Sequence, residues 1–381
     1  MCRPTADDMK TCDVAVVGGG PAGSACAWKL RRAGLDVIVM DGAVFPRDKV
    51  CAGWITPQVV DDLEIDVDDY RRGRTFQPIT GFRTGLVNGQ REIDTVYDCP
   101  VSFGIRRCEF DHYLLQRSGA RLKLGAPVSS IRRNGASWVL NEAVTASMLV
   151  GAGGHFCPIA RMLGRTNGTP LVVAQEIEFA LHARDAPSYR IAPEQPELYF
   201  CRDLKGYGWC FRKQNFLNVG FGRLDRHSLP KASAAFVAFL KAKRRIPEAA
   251  SWRWRGHAYL VADAAGGRAV QDSALLVGDA AGVAYPQSGE GIRPAIESGL
   301  MAASTIVEAN GRYSRDRLAA YEQRLTSRFG VRPLSRLLSQ AIPPSLPSAV
   351  GPRLFALPWF VRHLVLDRWF LRAHESALAR V

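Results

Sequence analysis

The chain has 381 residues, of which 47% are hydrophobic and 23% charged, as in a folded globular enzyme and unlike a disordered or fibrous chain. Its formal net charge of +14 comes with no basic arm and no recognition-helix pattern, so we expect no nucleic-acid partner. The nine cysteines include no C-x-x-C pair and the seven histidines no metal-ligand spacing, which favours reduced thiols and no metal site.

The first predicted elements are a strand, a glycine-rich turn and a helix. Val14–Val17 is a short apolar run of the kind that forms a strand buried on both faces. Gly18, Gly20 and Gly23 follow at G-x-G-x-x-G spacing, which permits a tight turn, close approach of a pyrophosphate and close packing of helix on strand. The helix is predicted over Ala22–Ala33.

A second strand is predicted over Leu35–Met40, and Asp41 follows it directly. An acidic side chain at this point would accept hydrogen bonds from the ribose hydroxyls of an adenosine. Strand, glycines, helix, second strand and acid stand in the order of a dinucleotide-binding unit. The sequence therefore predicts that a dinucleotide binds here.

The middle of the chain is predicted to be rich in strands. Up to position 154 the predicted elements are strands within Thr80–Cys99, a helix in Ile105–Arg117, and strands in Arg121–Ile131, Ala136–Val144 and Met148–Gly154. After it come a helix Lys231–Arg245, a strand Trp252–Leu260, and four strands that we expect to form an antiparallel sheet: Leu171–Leu181, Glu197–Cys201, Tyr207–Phe211 and Phe216–Phe221.

The chain then returns to a nucleotide-binding pattern and ends in helices. Ala274–Val277 is a predicted strand, Gly291–Ala309 a long helix, and the chain from Tyr313 is helical with an interruption at Pro343–Pro352. Residues 354–373 space aromatic side chains among arginines; we expect them to pack against the body, with peripheral membrane contact through the C-terminal helices as the alternative. Because no uncharged apolar run reaches the length of a membrane span, a cytoplasmic protein is expected.

A second cofactor motif lies in this last third. It reads Leu276-Val277-Gly278-Asp279-Ala280-Ala281-Gly282, followed by Pro286 and by Gly289-Glu290-Gly291-Ile292 at the head of the long helix. The N–H groups and partial positive charge of a helix N-terminus suit the N1/O2 edge of a flavin, whose reduced form is anionic. Two distant motifs that agree in type and order favour FAD over NAD as the tightly held cofactor.

Together the two motifs resemble those of the flavoprotein hydroxylase superfamily, with the glutathione-reductase type of FAD fold. Within it, the closer resemblance is to the geranylgeranyl reductase family of FAD-dependent oxidoreductases. Three hallmark segments carry it: Phe45 to Gly53 (FPRDKVCAG), Arg107 to Asp111 (RCEFD), and Tyr207 to Phe211 (YGWCF) followed by Asn218-Val219-Gly220. The likeness covers most of the chain.

The resemblance implies a set of cofactor-binding positions. They are Gly18, Gly20, Ala22, Gly23 and Asp41 in the first motif; Cys51, Ala52 and Gly53 beside the isoalloxazine; Arg107; Val128, with its backbone near the adenine; Asp279 at the ribityl chain or the pyrophosphate-side hydroxyls; and Gly289, Gly291 and Ile292 at the helix start.

The resemblance also implies a substrate side. Tyr207 and Trp209 would wall a cavity that faces the flavin, and residues two apart on a strand do share one face. Cys51 is the candidate for positioning or for proton supply. Cys51, Tyr207 and Trp209 are therefore the predicted catalytic residues.

The fold class predicted is α/β, with a Rossmann-like FAD-binding domain, an inserted antiparallel β-sheet substrate domain and a helical C-terminal region. The predicted parts are the FAD-binding domain at 9–78, 101–168 and 266–312, the substrate domain at 79–100 and 169–265, and the C-terminal region at 313–381.

Two positions depart from the family pattern. The proline expected after Phe211 is Arg212, and the acidic residue of the superfamily's Asp-Gly pair is Gly153. A second G-x-G-x-x-G for a nicotinamide cofactor is also lacking. The electron donor is therefore expected to be NAD(P)H bound transiently, or a partner reductase.

The function predicted is FAD-dependent reduction of a C=C bond in a small apolar substrate, isoprenoid-like or a related secondary metabolite. The alternative is a flavin-dependent monooxygenase, a hydroxylase or epoxidase, or, with less support, a halogenase. The halogenase pattern W-x-W-x-I-P is matched at Trp209, but its first Trp is Tyr207 and its Pro is Arg212. A flavin-binding electron carrier is a third, non-enzymatic alternative.

Overall fold

The computed structural model describes residues 10–165, 171–225, 227–260, 268–285, 288–330 and 351–378, with backbone only at 171–172 and 257–260. Within those ranges, no helix is both long and apolar enough to cross a membrane. The chain forms two compact units. The first consists of Met1–Arg47, Phe110–Pro170 and Tyr259–Val331, and the second of Asp48–Glu109, Leu171–Ala258 and Arg332–Val381.

The strands lie between Lys10 and Leu276. They are β1 (Lys10–Val17), β2 (Val37–Asp41), β3 (Trp54–Ile55), β4 (Phe76–Ile79), β5 (Gly81–Leu86), β6 (Glu92–Val96), β7 (Ser102–Ile105), β8 (Arg121–Leu124), β9 (Ile131–Asn134), β10 (Ser137–Leu140), β11 (Val144–Gly151), β12 (Leu171–Ala180), β13 (Glu197–Phe200), β14 (Gly206–Lys213), β15 (Phe216–Arg223), β16 (Arg255–Leu260), β17 (Val270–Gln271) and β18 (Ala274–Leu276).

Helices occur in both units. They are α1 (Pro21–Arg32), α2 (Pro57–Asp62), α3 (Val67–Tyr70), α4 (Arg107–Arg117), α5 (Pro158–Met162), α6 (Leu229–Ala242), α7 (Ile292–Glu308), α8 (Arg315–Phe329) and α9 (Pro358–Phe360), which continues as the π-helical segment Val361–Phe370.

The first unit is built on a sheet in the order β17-β18-β11-β1-β2-β8, to which β10 and β9 add beside β11. Strand β1 lies parallel to both β2 and β11, with Val14 opposite Val37 on one side and Met148 on the other. All three of these side chains are fully buried. A strand covered on both faces needs a continuous apolar run, which is why the sequence of β1 reads as it does.

The second unit is built on a seven-stranded sheet in the order β16-β12-β15-β14-β13-β5-β6, and on a small sheet β3-β7-β4. Neighbours from β12 to β13 are antiparallel, but β13 lies parallel to β5. Helix α6 covers one face of the large sheet, where Phe236 packs so closely on Gly208 that a Cβ there would lie 2.6 Å from the ring. The other face carries the predicted substrate residues.

The α/β fold class is confirmed, and most predicted elements occur within a few residues of their expected bounds. The predicted strand Arg121–Ile131 is wrong as one element: β8 ends at Leu124, because Gly125 takes a left-handed conformation with φ of +70°. The sheet predicted to be antiparallel also contains a parallel pair. The short helices α2, α3 and α5 carry no long periodic pattern, so the sequence did not reveal them.

The units do not follow the predicted domain limits, since residues 48–78 and 101–109 pack with the second unit. The predicted limits concern the cofactor and the substrate rather than packing, so they stay a prediction. The interruption predicted at Pro343–Pro352 lies outside the described residues except for its last two. In the segment after it, Val361, Val365, Leu366 and Phe370 are buried.

Candidate active site

The three glycines of the first motif have different physical tasks. Gly18 has φ of +118°, and a Cβ there would lie 2.2 Å from the carbonyl oxygen of Ala152. A Cβ on Gly23 would lie 1.9 Å from the carbonyl oxygen of Gly18. By contrast, a Cβ on Gly20 would meet nothing within 4 Å except Arg47 Nη2 at 3.5 Å. Gly18 and Gly23 therefore serve the packing of the turn, whereas Gly20 borders open space.

The Asp41 carboxylate is directed at this turn. Its Oδ2 accepts a hydrogen bond from the Gly19 N–H at 2.7 Å, and its Oδ1 accepts one from the Ala43 N–H at 2.8 Å. A carboxylate has about four lone-pair positions, so it can still accept from ribose hydroxyls. Its place beside the glycine turn fits the role predicted for it.

Arg47 is a candidate that the sequence analysis did not select. Its guanidinium lies beside Gly20, stacks on Phe45 at 4.7 Å from the ring centroid, and lies 3.3 Å from Oδ2 of the fully buried Asp111. The hallmark segment contains Arg47, but its partner stands 64 positions later in the chain. An arginine held beside the open side of a glycine turn suits a phosphate group.

The second motif packs directly against the first. Gly278 has φ of +61° and approaches Ala22 so closely that a Cβ would lie 2.9 Å from the Cβ of Ala22. On α7, a Cβ at Gly299 would lie 2.3 Å from the carbonyl oxygen of Ala22. Asp279 lies near the start of α7, since a Cβ on Gly291 would be 3.6 Å from Asp279 Oδ1. Two motifs far apart in sequence thus meet at Ala22.

The start of α7 is shaped by glycine and by one acidic side chain. Gly289 has φ of +68°, Gly291 stands just before the helix, and the buried Ile292 is its first residue. Glu290 Oε1 accepts the Arg293 N–H at 2.8 Å, so one N–H of the first turn is satisfied within the protein. Pro286 lies outside the described residues.

Val128, predicted to lie near the adenine, belongs to a segment fixed beside the end of β2. The N–H of Ala126 donates to the Asp41 carbonyl oxygen at 3.2 Å, and Asn141 Oδ1 accepts the N–H of Ser129 at 2.9 Å. Val128 itself is half-buried against the core. The backbone at Val128 is therefore held near the residues of the first motif.

These residues of the first unit fit an FAD-type cofactor. Gly20 and Arg47 offer open space and positive charge for a diphosphate, Asp41 offers acceptors for a ribose, and the start of α7 offers N–H groups and partial positive charge. Within the described residues, no group of histidine, cysteine, aspartate and glutamate side chains could hold a metal ion.

In the second unit, the predicted substrate residues share one face of β14. Tyr207 and Trp209 have ring centroids 5.8 Å apart, and Phe211 stacks on Trp54 at 5.2 Å. Arg212 belongs to the opposite face by strand alternation, and its Nε donates to the Gln214 carbonyl oxygen at 3.1 Å. The cation at the family's proline position thus does not interrupt this aromatic face.

The Trp209 indole lies across the neighbouring strand β15. Trp209 is paired with Gly220, and a Cβ on that glycine would lie 2.1 Å from Trp209 Cζ2. Its Nε1 donates to Asn218 Oδ1 at 2.7 Å, which satisfies the buried indole N–H. The sequence showed Asn218 and Gly220 in a hallmark segment, but only the strand register reveals why they accompany Trp209.

The same strand pair holds the loop Cys51 to Gly53. Asn218 Nδ2 lies 3.3 Å from the Cys51 carbonyl oxygen, and the Ile105 N–H donates to the Gly53 carbonyl oxygen at 2.8 Å. Gly53 has φ of +70°, and a Cβ there would lie 2.6 Å from Lys213 Nζ. Cys51 and Ala52 are half-buried, and the predicted Arg107 is the buried first residue of α4.

Charged side chains lie beneath this loop. The buried Lys213 Nζ contacts Glu178 Oε2 at 2.6 Å and donates to the Ile105 carbonyl oxygen at 2.9 Å, while Arg106 Nε contacts Glu178 Oε1 at 3.0 Å. Burial raises the pKa of Glu178, but the two cations outweigh it and hold that pKa below its usual value. Glu178 is therefore ionised and paired.

The predicted site residues thus fall into two sets, one in each unit. The first unit brings together the nucleotide residues, and the second brings Cys51, Ala52 and Gly53 beside the strand that carries Trp209. The roles predicted for the individual residues stay predictions.

Comparison with known proteins finds relatives over most of the chain. A sequence model of the family described as FAD dependent oxidoreductase matches residues 13–83. The menaquinone reductase of Mycobacterium tuberculosis is 31% identical over 347 residues, with 84% of this chain and 80% of that protein covered. Digeranylgeranylglycerophospholipid reductase 1 of Methanosphaera stadtmanae is 28% identical, with 83% and 80% covered. The chain belongs to the geranylgeranyl reductase family of FAD-dependent oxidoreductases.

Solved structures share the fold, and they include a flavin-dependent brominase that matches with a TM-score of 0.69 at 16% identity, covering 95% of this chain and 93% of that one. A geranylgeranyl bacteriochlorophyll reductase-like protein of Thermoplasma acidophilum matches with a TM-score of 0.78 at 20% identity, covering 95% of this chain and 97% of that one. As a member of the family to which its sequence relatives belong, the protein is an FAD-dependent oxidoreductase, as predicted.

Proposed function

We propose that the protein reduces a C=C bond in the isoprenoid chain of an apolar quinone or lipid. Two relatives are named for compounds of this kind, a menaquinone and a digeranylgeranyl lipid. The observation that carries the proposal is the aromatic face of β14, on which Tyr207 and Trp209 lie beside the small residues Gly220 and Gly222. An apolar wall of this kind suits an isoprenoid chain, which offers no polar handle.

The chain's own residues have distinct tasks in this proposal. FAD, once bound and reduced, supplies the hydride. Arg47 and Gly20 bind the diphosphate of the cofactor, and Asp41 binds its ribose. Tyr207 and Trp209 orient the apolar chain and exclude water, which is the main contribution that a protein makes when a cofactor carries the chemistry. Cys51 lines the substrate side of its loop.

The electron donor forms a separate part of the proposal. We propose transient NAD(P)H binding or a partner reductase, because the sequence has one glycine motif of the dinucleotide type and that motif is assigned to FAD. Stopped-flow reduction of the bound flavin by NADPH, NADH or a reduced ferredoxin distinguishes these donors.

The proposal is tested with the purified protein loaded with FAD and photoreduced under argon. Geranylgeranyl diphosphate or menaquinone-4 is added, flavin oxidation is followed by absorbance, and the mass of the product is measured by mass spectrometry. We expect rapid oxidation and a product that, after any quinol has been reoxidised to the quinone, is heavier by two hydrogens, which fragmentation places in the isoprenoid chain. No oxidation by either isoprenoid, with an oxygenated product formed on aeration, would instead establish a monooxygenase.

A matched pair of variants tests the aromatic face. Tyr207→Ala is expected to slow substrate-driven flavin oxidation by roughly tenfold or more, since misplacing a substrate by about 1 Å can cost about 10²-fold. Arg212→Ala, on the opposite face of the same strand, is expected to leave the rate unchanged. Equal effects of the two substitutions would show that this face does not hold the substrate.

We also propose that the second unit contacts a membrane surface near the start of α9. Leu357 and Trp359 are 52% and 70% exposed, Val96 is 64% exposed, and Arg362 Nη1 donates to the Val96 carbonyl oxygen at 3.3 Å. Exposed tryptophan and leucine beside arginine suit an anionic lipid interface. In co-sedimentation with phosphatidylglycerol vesicles, the wild type should pellet with the vesicles and the Trp359→Ala variant should stay in the supernatant. Equal fractions of both proteins in the pellet would exclude this surface.

A further inference from the structure

A second carboxylate lies next to Glu178 and has a different environment. Glu176 is 6% exposed and sits opposite Gly220 in the β12–β15 register, on the face of the sheet that carries Trp209. Its carboxyl group accepts the Cys51 N–H, and its Oε2 lies 3.3 Å from Asn218 Nδ2. Glu176 is thus held between the Cys51 loop and the strand pair that supports Trp209.

The two glutamates divide the positive charge unequally. Lys213 and Arg106 contact Glu178 directly, and neither makes a hydrogen bond or ion pair with Glu176 among the described contacts. Burial raises the pKa of Glu176, and the hydrogen bonds from Cys51 and Asn218 and the charge of Lys213 lower it by less. Two neighbouring carboxyls whose pKa values are pushed apart are the arrangement in which one keeps its proton to a higher pH than the other.

We propose that Glu176 is the proton donor of the reduction. This inference rests on the function proposed above and names the acid that the reaction needs. Saturating a C=C bond takes a hydride, which the reduced cofactor provides, and a proton. The O–H bond of Glu176 breaks, its proton forms the C–H bond at the second carbon, and the carboxylate that is left takes a proton from water. Cys51 is then a positioning residue, whose backbone orients the acid.

The groups around Glu176 define what its titration should show. Lys213 and Glu178 face Glu176 from the sheet, and the Cys51 loop covers it. Arg255 on the neighbouring strand β16 interacts with the charge of Glu176 and forms an ion pair with Asp48. Because the donor must be protonated, the rate of substrate reduction falls as the pH rises through the pKa of Glu176. Removing the acid removes that dependence.

Glu176→Gln is the test variant, since glutamine has the shape of the protonated acid and can still accept the Cys51 N–H. Glu248→Gln, at an exposed position of the same unit, makes the same chemical change as a control. The infrared difference spectrum between the wild type and Glu176→Gln, recorded just above the usual pKa of a glutamate, should show the C=O band of a protonated carboxylic acid. The difference between the wild type and Glu248→Gln should lack that band, and any band of Glu197, whose pKa burial also raises, cancels in both. This readout needs no substrate.

Kinetics provide the second readout. With geranylgeranyl diphosphate or menaquinone-4 as the probe, Glu176→Gln should slow saturation of the isoprenoid chain, followed by mass spectrometry, by about 10²-fold or more and flatten the pH profile of that rate. Glu248→Gln should match the wild type. A difference spectrum between the wild type and Glu176→Gln without the infrared band, or a Glu176→Gln protein that reacts as fast as the wild type, overturns the donor role while the proposed function stands. A wild type that reduces neither probe overturns both.

Discussion

Replacing Gly220 by alanine should force the Trp209 indole off strand β15. The new Cβ would lie 2.1 Å from Cζ2 and 2.3 Å from Cε2 of that indole, far inside van der Waals contact. Trp209 is buried and its Nε1 is bonded to Asn218, so the ring cannot move without breaking that hydrogen bond. One methyl group therefore disturbs both the packing and the polar contact of the predicted substrate wall.

The cost can be worked out from these contacts. Overpacking a well-packed core costs ~1–3 kcal/mol. Leaving a buried donor or acceptor without its partner adds ~1–3 kcal/mol. The lower chain entropy of alanine in the unfolded state returns ~0.4–1 kcal/mol. We therefore expect Gly220→Ala to lower the free energy of unfolding by roughly 3 kcal/mol.

Gly222→Ala is the matched control. It lies on the same face of the same strand, but its Cβ would meet Trp209 Cζ3 at 3.7 Å and Ala174 Cβ at 3.8 Å, which is ordinary contact. Its stability should equal or slightly exceed that of the wild type. Urea unfolding followed by circular dichroism and tryptophan fluorescence measures both variants. If Gly220→Ala is as stable as Gly222→Ala, the proposed stacking of Trp209 on β15 is refuted.

Two further predictions concern the cofactor turn and the buried charges. Gly23→Ala should destabilise the protein with or without FAD. Gly20→Ala should lower only the affinity for FAD, because Gly20 borders open space. Thermal melts at several FAD concentrations separate these two effects, and equal melting temperatures of the two variants without FAD would contradict the prediction. Lys213→Met should cost about 3 kcal/mol near pH 7, since it removes a partner of a buried carboxylate. Because the folded pKa of Glu178 is lowered, its stabilising contribution is present above the unfolded value of about 4.3 and is lost as the pH falls through the folded pKa, so the cost should shrink in acid. If Lys213→Met lowers the free energy of unfolding by the same amount in acid as near pH 7, the lost pair with Glu178 is not the source of the destabilisation.

The nucleotide motif could be recognised in the sequence alone, because its parts interact locally. One strand, turn, helix and second strand contain Gly18, Gly20, Gly23 and Asp41. The spacing of the glycines already implies the backbone conformation or close approach that each of them permits. The family hallmarks likewise named Cys51 and Trp209.

The side chains that support these motif residues became visible only in the folded chain. The pairing of Arg47 with Asp111 spans 64 positions, and the placing of Glu176 beside the Cys51 loop depends on a strand register that a shift of one residue would reverse. Residue types along the chain do not specify register or long-range ion pairs, since these follow from the packing of whole strands. The buried charge pairs and the proposed donor Glu176 could therefore be recognised only in the folded chain.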